Sequence, residues 1–318
     1  MPTVTPASSV LYARLLAKGR LRHLQLLVSI ADSGGVRRAA EQIGMSQPAA
    51  TQALGDIEEL LGTPLFERHV RGMRLTSAGR AVVPMARNTL SALRASADTV
   101  HALQAGASGV LRVGAIPAAA SGLLCRMLPA FGARHPDLRI EVLEAPGEQL
   151  QADVMSGRVD LALCRRPAET PVAPFAFAPL APDVPWIVAG RRHPLVREPR
   201  PTLDDLRAAR WTLPVQGLGV RDVFDALFAP GAPAPALHPI STTSLPLVLE
   251  ILRRERVLSL IPRSLIEPFV QWGLIARVAF ELHSEFEGIG VLQGPQSDSP
   301  AVTACLEALR EAVQAPVA

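Results

Sequence analysis

The chain has 318 residues, more than one average domain, and its 48% hydrophobic and 19% charged residues are those of a globular protein, which excludes long disordered or collagen-like tracts. No stretch approaches the ~20 apolar residues that span a bilayer. In residues 1–20 the basic residues follow a short apolar stretch, which is the reverse of a secretory signal, so we expect a cytoplasmic protein with no membrane partner. Residues 1–90 hold eleven Lys or Arg against six Asp or Glu, whereas the remainder holds 21 against 23, so the basic head is expected to meet an anionic partner.

Three short helices are predicted after an N-terminal extension of residues 1–20. The apolar residues of LRHLQLLVSIAD and SGGVRRAAEQI recur at the three- and four-residue spacing of amphipathic helices. Gly44 and Met45 interrupt this pattern, Ser46 is a candidate N-cap, and QPAATQALGDIEELL forms a third helix that Gly62 ends. Two short helices around a tight turn that contains glycine are typical of a helix-turn-helix.

The third predicted helix turns its apolar residues inward and leaves a small, polar outer face. That face carries Pro48, Thr51 and Gln52, with Gln47 at the helix tip. Small side chains suit insertion into a DNA major groove about 12 Å wide, where glutamine can make two hydrogen bonds to adenine. The alternative is a solvated face in an ordinary three-helix bundle.

The segment LFERHVRGMRLTSAG is predicted to form two short strands, with a turn at Arg71–Gly72, and then to enter a helix. Four basic residues gather at this hairpin: Arg68, His69, Arg71 and Arg74. A basic hairpin beside a recognition helix can hold phosphates or enter the minor groove, whereas the alternative is a charged surface turn. Its position after a helix-turn-helix favours a wing.

Residues 21–80 resemble the winged helix-turn-helix of the LysR-type transcriptional regulators. RAA, SQPA and LTSAG stand at the spacing of that family, and the subgroup most resembled includes regulators of galactose-binding-protein and protocatechuate-pathway genes. The resemblance implies a double-stranded promoter or operator DNA as partner. It also implies that five residues lie at the DNA: Gln47, Pro48, Thr51, Gln52 and Arg71. The family often has Arg where this chain has Gln52, so we expect a different base preference and one positive charge fewer.

Residues 77–106 are predicted to form a linker helix. Its apolar residues alternate at spacings of three and four, which is typical of a coiled-coil seam: Val83, Ala86, Leu90, Leu93, Ala97 and Val100. Packing on its own domain is the alternative, and Pro84 is expected to kink or loosen the first turns. The resemblance implies that this helix pairs subunits into a homodimer, and that two dimers form a homotetramer.

Residues 108–318 alternate short apolar strands with helices, which predicts an α/β unit with largely parallel sheets. HPDLRIEVLE and SGRVDLAL resemble the inducer-binding domain of LysR-type regulators, which shares its two lobes with periplasmic binding proteins. We expect one lobe at about 108–165 and 268–318 and the other at about 166–267. The predicted fold class is therefore multidomain α/β, with a winged helix-turn-helix, a linker helix and a two-lobed domain.

Ligands of such sheets bind at the carboxyl ends of strands, near helix N-termini. Four segments there offer backbone N–H groups, hydroxyls or glycines, although each is an ordinary turn when taken singly. The candidate effector-binding residues are Ala118, Ala119, Ser121, Gly147, Gly217, Gly219 and Thr242. The resemblance implies a small-molecule inducer between the lobes; a sugar, a carboxylate and an aromatic acid all stay open, and no other cofactor is expected.

Three other functional classes fit the sequence less well. No HExxH, GxSxG, P-loop or GxGxxG motif is present, so no catalytic residue and no metal site are predicted. Cys125 and Cys164 are expected to be small core residues and not redox sensors. A periplasmic binding protein would need a signal peptide, and an architectural DNA-binding protein would not need the large body. The interpretation is a sequence-specific transcriptional regulator, with RNA polymerase as a further expected partner.

Overall fold

The computed structural model describes residues 8–70, 72–104, 106–167, 175–216, 218–228, 233–282, 284, 286–294 and 299–314, except the side chain of residue 102. The first of two compact units holds the described residues up to His101, together with Met155–Arg158. The second holds Ala102–Val154 and the described residues from Val159 onward. Within the described residues, no helix is both long and apolar enough to cross a bilayer.

The first unit is a small helical bundle with a two-stranded hairpin. Glycines at positive φ end two of its helices: Gly34 follows the second, and Gly62 follows the fourth. Its core is formed mainly by aliphatic side chains, among them Leu26, Ile30 and Ile57. The elements are α1 (Ser8–Lys18), α2 (Leu21–Ser33), α3 (Val36–Gln42), α4 (Gln47–Leu61), β1 (Phe66–His69), β2 (Gly72–Leu75) and α5 (Ser77–Gln104).

Helix α5 is joined tightly to the rest of the first unit at its start. The Thr76 hydroxyl accepts a hydrogen bond from the N–H of Gly79 at 3.0 Å and donates one to the carbonyl of Pro64 at 2.8 Å. A Cβ atom at Gly79 would lie 2.1 Å from the carbonyl oxygen of Leu65, so only glycine fits there. The helix continues through Pro84, so the predicted interruption does not end it.

The second unit begins with a five-stranded sheet that forms its first lobe. Strand order is β4-β3-β5-β11-β6; β3 runs parallel to β4 and β5, whereas β11 runs antiparallel to β5 and β6. The strands are β3 (Gly109–Ala115), β4 (Leu138–Glu144), β5 (Leu161–Cys164), β6 (Ala176–Ala181) and β11 (Ile289–Gln293). The helical segments of this part are α6 (Pro117–Ala119), a π-helical turn (Ala120–Leu124), α7 (Cys125–Arg134), α8 (Gly147–Met155) and α13 (Pro300–Gln314).

A four-stranded sheet forms the second lobe, with the order β10-β7-β9-β8. Its core is centred on the fully buried Trp211, whose ring makes edge contacts with Phe224 and Phe228. The strands are β7 (Pro185–Ala189), β8 (Arg210–Trp211), β9 (Val257–Pro262) and β10 (Ala276–Arg277). The helices are α9 (Leu203–Ala208), α10 (Gly219–Leu227), α11 (Leu245–Arg254) and α12 (Arg263–Gln271).

Strand pairing corrects two sequence-based expectations. Strand β6 pairs with β11 in the first lobe although it falls within 166–267, and β10 pairs with β7 in the second lobe although it falls within 268–318. Both sheets are mixed and not largely parallel. The strands that follow a passage between the lobes, β7 and β11, run antiparallel to their neighbours in the sheet. A local apolar pattern identifies a strand but carries no information about its partner.

Candidate nucleic-acid interface and small-molecule site

The outer face of α4 is formed by side chains that the helix cannot bury. The Ser46 side chain accepts a hydrogen bond from the N–H of Ala49 at 3.4 Å, which confirms it as the N-cap. Ala50, Leu54 and Ile57 are buried on the inner face as predicted. The four residues predicted to read DNA from this helix are all exposed: Gln47, Pro48, Thr51 and Gln52.

Two of these polar side chains are held by neighbours in the same helix. The Thr51 hydroxyl donates to the carbonyl of Gln47 at 3.0 Å. The side-chain amide of Gln52 donates to Oδ1 of Asp56 at 2.7 Å. Each glutamine amide has two N–H groups and a carbonyl oxygen, so Gln52 keeps one donor and one acceptor for a base edge. The face is therefore polar and partly ordered before any ligand arrives.

The N-terminus of α2 lies beside the distal part of this face. His23 is buried there, and its Nδ1 accepts a hydrogen bond from the N–H of Arg20 at 3.3 Å. Burial lowers the pKa of His23, an effect that the nearby Asp56 carboxylate opposes and the Arg20 guanidinium reinforces. Helix α2 packs against α4, and Asp56, which acts on His23, also holds Gln52, so the start of α2 lies near the outer face of α4.

The wing is a true hairpin, but its arginines do not share one face. Arg68 pairs with Met73 and Arg74 pairs with Glu67, so Arg68 and Arg74 project to opposite faces of the ladder because side chains alternate along a strand. His69 pairs with Gly72, which places Gly72 in β2 and not in the predicted turn. Arg68 and Arg74 are exposed, and Arg71 lies outside the described residues.

Three contacts position the wing against the helices. Oε1 of Glu58, on α4, accepts hydrogen bonds from the N–H groups of Leu65 at 2.6 Å and Phe66 at 3.1 Å. The N–H of Met73 donates to the carbonyl of Gly34 at 2.8 Å. Gly72 has a φ of 123°, and a Cβ atom there would lie 2.3 Å from that same carbonyl oxygen. The Glu58 side chain therefore connects α4 to the start of the wing, and a backbone hydrogen bond connects the α2–α3 turn to β2.

Two cations missed by the sequence-based prediction border the same region. A groove of about 250 Å³ lies between the α2–α3 turn and β2, and Arg37 and Arg38 line it with Gly72. Both arginines are exposed. The sequence shows that they closely follow the glycine pair Gly34–Gly35. Only the packing of β2 on Gly34 shows that they also border the wing.

Helix α5 presents an apolar stripe of which only the first part is covered. Val83 and Ala86 are buried in the first unit, whereas Leu93 is 48% exposed and Val100 is 54% exposed. Leu103, which was not part of the predicted seam, extends the uncovered stripe. Arg87 on α5 forms an ion pair with Asp32 on α2 and holds the covered part in place. The apolar stripe of α5 is therefore covered by the first unit in its first half and exposed in its second half.

The first-lobe effector candidates follow β3 and β4, whose carboxyl ends lie side by side. Ala119 is fully buried, and its N–H donates to the carbonyl of Ile116, so this residue is part of the core and offers nothing to a ligand. Ala118 is buried as well. The Ser121 hydroxyl is half-buried and donates to the carbonyl of Leu265 at 3.0 Å. Gly147 begins α8 directly after β4.

The second-lobe candidates follow β8 and the segment that pairs beside it. Gly219 is exposed at the start of α10. Thr242 is half-buried, and its hydroxyl accepts a hydrogen bond from the N–H of Ser244 at 3.0 Å just before α11. Gly217 lies outside the described residues. The predicted residues therefore belong to the expected strand ends, but side-chain groups among them are already engaged locally.

A buried carboxylate that sequence reasoning missed ties the two lobes together. The side chain of Asp183 accepts hydrogen bonds from Arg165 at 2.9 Å, from the Ser264 hydroxyl at 2.7 Å and from the Ser264 N–H at 3.1 Å. Arg165 also stacks on Phe286, 4.0 Å from the ring centre. Asp183 sits where the chain passes from β6 to β7, and Phe286 where it passes from β10 to β11. Arg165 directly follows β5, at the edge that carries the first-lobe candidates.

The cysteines divide differently from the prediction. Cys164 and Cys305 are buried, and burial raises the pKa of Cys164 to about 11 and that of Cys305 to about 12. Cys125 is exposed at the start of α7, so the expectation of a core residue is wrong there. Its position on an amphipathic helix, and not its neighbours in sequence, decides its exposure.

Comparison with known proteins gives a consistent picture over both units. Residues 21–80 match the family profile described as bacterial regulatory helix-turn-helix protein, lysR family, and residues 104–314 match the LysR substrate binding domain. The chain is 34% identical to the HTH-type transcriptional regulator GbpR of Azospirillum brasilense, over 96% of this chain and 89% of that protein. It is 28% identical to GalR of Pseudomonas putida, over 92% and 74% respectively. The structure of full-length CbnR complexed with its target DNA shares the fold, with a TM-score of 0.64, 22% identity, and coverage of 92% of this chain and 99% of that one.

Proposed function

The chain belongs to the LysR family of bacterial transcriptional regulators, with a DNA-binding helix-turn-helix and an effector-binding domain, and we propose that it binds its operator with the outer face of α4 and the wing. Gln47, Thr51 and Gln52 contact base edges. The arginines of the wing contact the phosphate backbone, which positions the protein without reading sequence. One observation carries this assignment: α4 is N-capped by Ser46 and leaves a small, polar, exposed face beside a basic hairpin.

The oligomeric part of the proposal rests on α5. Its second half exposes Leu93, Val100 and Leu103 on one stripe, and apolar stripes of this spacing are covered by a second helix in coiled coils. We propose that two copies pair through this stripe and place their heads on half-sites about one helical turn apart. Two such dimers then form a tetramer on an extended operator.

The effector part of the proposal rests on the lobes. A small polar or anionic molecule binds between them, near Ser121, Gly147, Gly219 and Thr242, and favours one relative position of the lobes. Asp183 lies on the passage from β6 to β7 and joins Arg165 of the first lobe to Ser264 of the second, so closure of the lobes is expected to pivot there. The heads of the DNA-bound assembly then change spacing, which alters contact with RNA polymerase. A regulator with this role works in the cytoplasm, where the chromosome is.

The proposal is tested with the full-length protein and the DNA upstream of its own gene. Fluorescence anisotropy measures binding to that duplex and to a scrambled duplex of the same composition, over a series of salt concentrations. We expect at least about a hundredfold preference for the native duplex and a steep salt dependence. Equal affinity for both duplexes would remove the sequence-reading role of α4.

The effector is identified by thermal unfolding in the presence of sugars, carboxylates and aromatic acids. A ligand of the folded domain raises its stability by about 2.7 kcal/mol at a hundredfold excess over the dissociation constant. We expect Thr242→Val to reduce that gain, whereas Thr303→Val, an exposed change on α13, leaves it intact. An equal gain in both variants would place the ligand elsewhere.

A further inference from the structure

Helix α1 lies outside the part of the chain that matches the helix-turn-helix profile. It lies before residue 21, where the match to the helix-turn-helix profile begins, and it packs against α4, the recognition helix. Leu15 contacts the core of the first unit, which fixes the helix on its partner. A helix docked on the reading helix has its remaining faces close to whatever that helix binds.

The charge of this region is of a single sign. The first acidic residue of the chain is Asp32, so every charged residue of α1 and of the α1–α2 corner is basic. Four cations are exposed there: Arg14, Lys18, Arg20 and Arg22. Within the described part of the chain, none of the four forms an ion pair, in contrast to Arg37 and Arg87, which pair with Glu41 and Asp32. Four uncompensated cations on one short segment make a binding surface for an anion.

The position of the corner points to one anion. Helices α1 and α2 both pack against α4, and the Asp56 carboxylate, which holds Gln52 on the reading face, also acts electrostatically on His23 in the first turn of α2, so we place Arg20 and Arg22 near that face. Arg14 and Lys18 are one helical turn apart and share a side of α1. A helix in the major groove has a row of phosphates on each side of it, and these phosphates are the anions nearest to the corner.

We propose that Arg14, Lys18, Arg20 and Arg22 form a second phosphate-binding surface of the head, on DNA already engaged by α4. This inference rests on the proposed function. The surface holds the backbone and reads no base, so it adds affinity and salt dependence without adding sequence preference. The head therefore holds DNA at three places: the wing, the reading helix and the α1–α2 corner.

The test uses the full-length double variant Arg14→Gln/Lys18→Gln and the native and scrambled duplexes. Each lost phosphate contact lowers the slope of log affinity against log salt by about 0.9 per head, so the double variant should lose about 1.8 per head. Near 0.15 M salt this corresponds to affinity on the order of fivefold weaker per contact, on both duplexes alike. Two controls accompany it: Arg14→Lys/Lys18→Arg keeps the charges and should keep the slope, and Arg210→Gln/Arg310→Gln removes the same charge from exposed sites of the second unit.

A slope equal to that of the wild type, or a loss no greater than in Arg210→Gln/Arg310→Gln, would overturn the inference. So would a change of oligomeric state in sedimentation with an unchanged slope, because α1 would then contact a second copy of the chain. Failure of the proposed function is a different result: the wild-type protein itself would show no preference for the native duplex. Neutralising Arg22 separately, as Arg22→Gln, extends the measurement to the corner.

Discussion

The side-chain amide of Gln52 is hydrogen-bonded to Asp56, one turn further along the recognition helix, at 2.7 Å. This bond fixes the glutamine in a single orientation and spends one of its two N–H groups. In the proposed complex, it also brings a carboxylate close to the phosphate backbone. Gln52 would then reach the DNA already oriented, in a position where other family members often carry a positive charge.

Removing Asp56 should separate affinity from sequence preference. We expect Asp56→Ala to bind both native and scrambled duplexes more tightly, because a negative charge is lost, and to discriminate less at the base pair that Gln52 reads. Gln52→Ala should lose that discrimination entirely, about 1–3 kcal/mol. Glu59→Ala removes an exposed carboxylate from the same helix but not from Gln52, so it should keep the preference. Anisotropy with single-substituted duplexes measures both quantities, and an unchanged preference in Asp56→Ala would show that the bond is irrelevant to base reading.

The wing arginines should differ in their contribution. Arg71→Ala is expected to weaken binding to all sequences and to lower the salt slope by about 1. Arg74→Ala should lower it less, because Arg74 lies directly across the ladder from Glu67 and its charge is partly offset. The salt dependence of anisotropy titrations provides the comparison. Equal losses in the two variants would argue against the influence of Glu67.

The uncovered half of α5 should be needed for assembly. Leu93→Asp places a charge on the exposed apolar stripe and is expected to dissociate dimers into monomers. Asn88→Asp adds the same charge on the opposite side of the helix and should leave the dimer intact. Sedimentation velocity of the full-length variants distinguishes the two, and an unaltered assembly in Leu93→Asp would refute the seam.

Two glycines of the head should respond in opposite directions to the same substitution. Gly79→Ala drives a methyl group against the carbonyl of Leu65 and should destabilise the first unit by about 1–3 kcal/mol. Gly55→Ala, in the middle of α4 with open space around it, should stabilise the unit by about 0.5–1 kcal/mol. Calorimetry of the full-length protein measures both. A neutral Gly79→Ala would mean that α5 can move away from Leu65.

Thiol labelling should detect one cysteine in the folded protein. At pH 8 the thiols of Cys164 and Cys305, with pKa values of about 11 and 12, are almost entirely protonated as well as buried, so neither supplies the reactive thiolate. Raising the pH increases the thiolate fraction only as it approaches those values. Cys125 is exposed and should account for all rapid labelling, which Cys125→Ser should abolish. Fast reaction of two or more thiols at pH 8 would contradict this.

The head was largely predictable because its signals are local. The N-cap at Ser46, the inward residues Ala50 and Leu54, and the exposed Gln52 all follow from a helical period and a capping preference within a few residues. The opposite directions of Arg68 and Arg74 also follow from the alternation of side chains along a strand, but the one-residue error in the predicted turn conceals the pairing of Arg74 with Glu67.

The body was less predictable because its important relationships are distant in sequence. The strands β3, β4, β5, β7 and β9 coincide with apolar runs that indicate a strand, whereas the short β8 and β10 carry too few residues for a pattern. Asp183 is 81 residues from Ser264, so nothing in the local sequence distinguishes it from any loop aspartate. Helix α1 lies in the predicted N-terminal extension, and no local signal shows what it packs against, since its partner, α4, begins more than 25 residues later.

The position of β11 in the first sheet sets the order in which the protein can be completed at the ribosome. This strand, Ile289–Gln293, lies between β5 and β6. The first sheet therefore cannot be completed until a segment made near the end of translation has been synthesised. Among the described residues, the strands of the head end at residue 75, so its sheet can form much earlier. A nascent chain thus acquires the means to hold DNA well before it acquires the means to sense an effector.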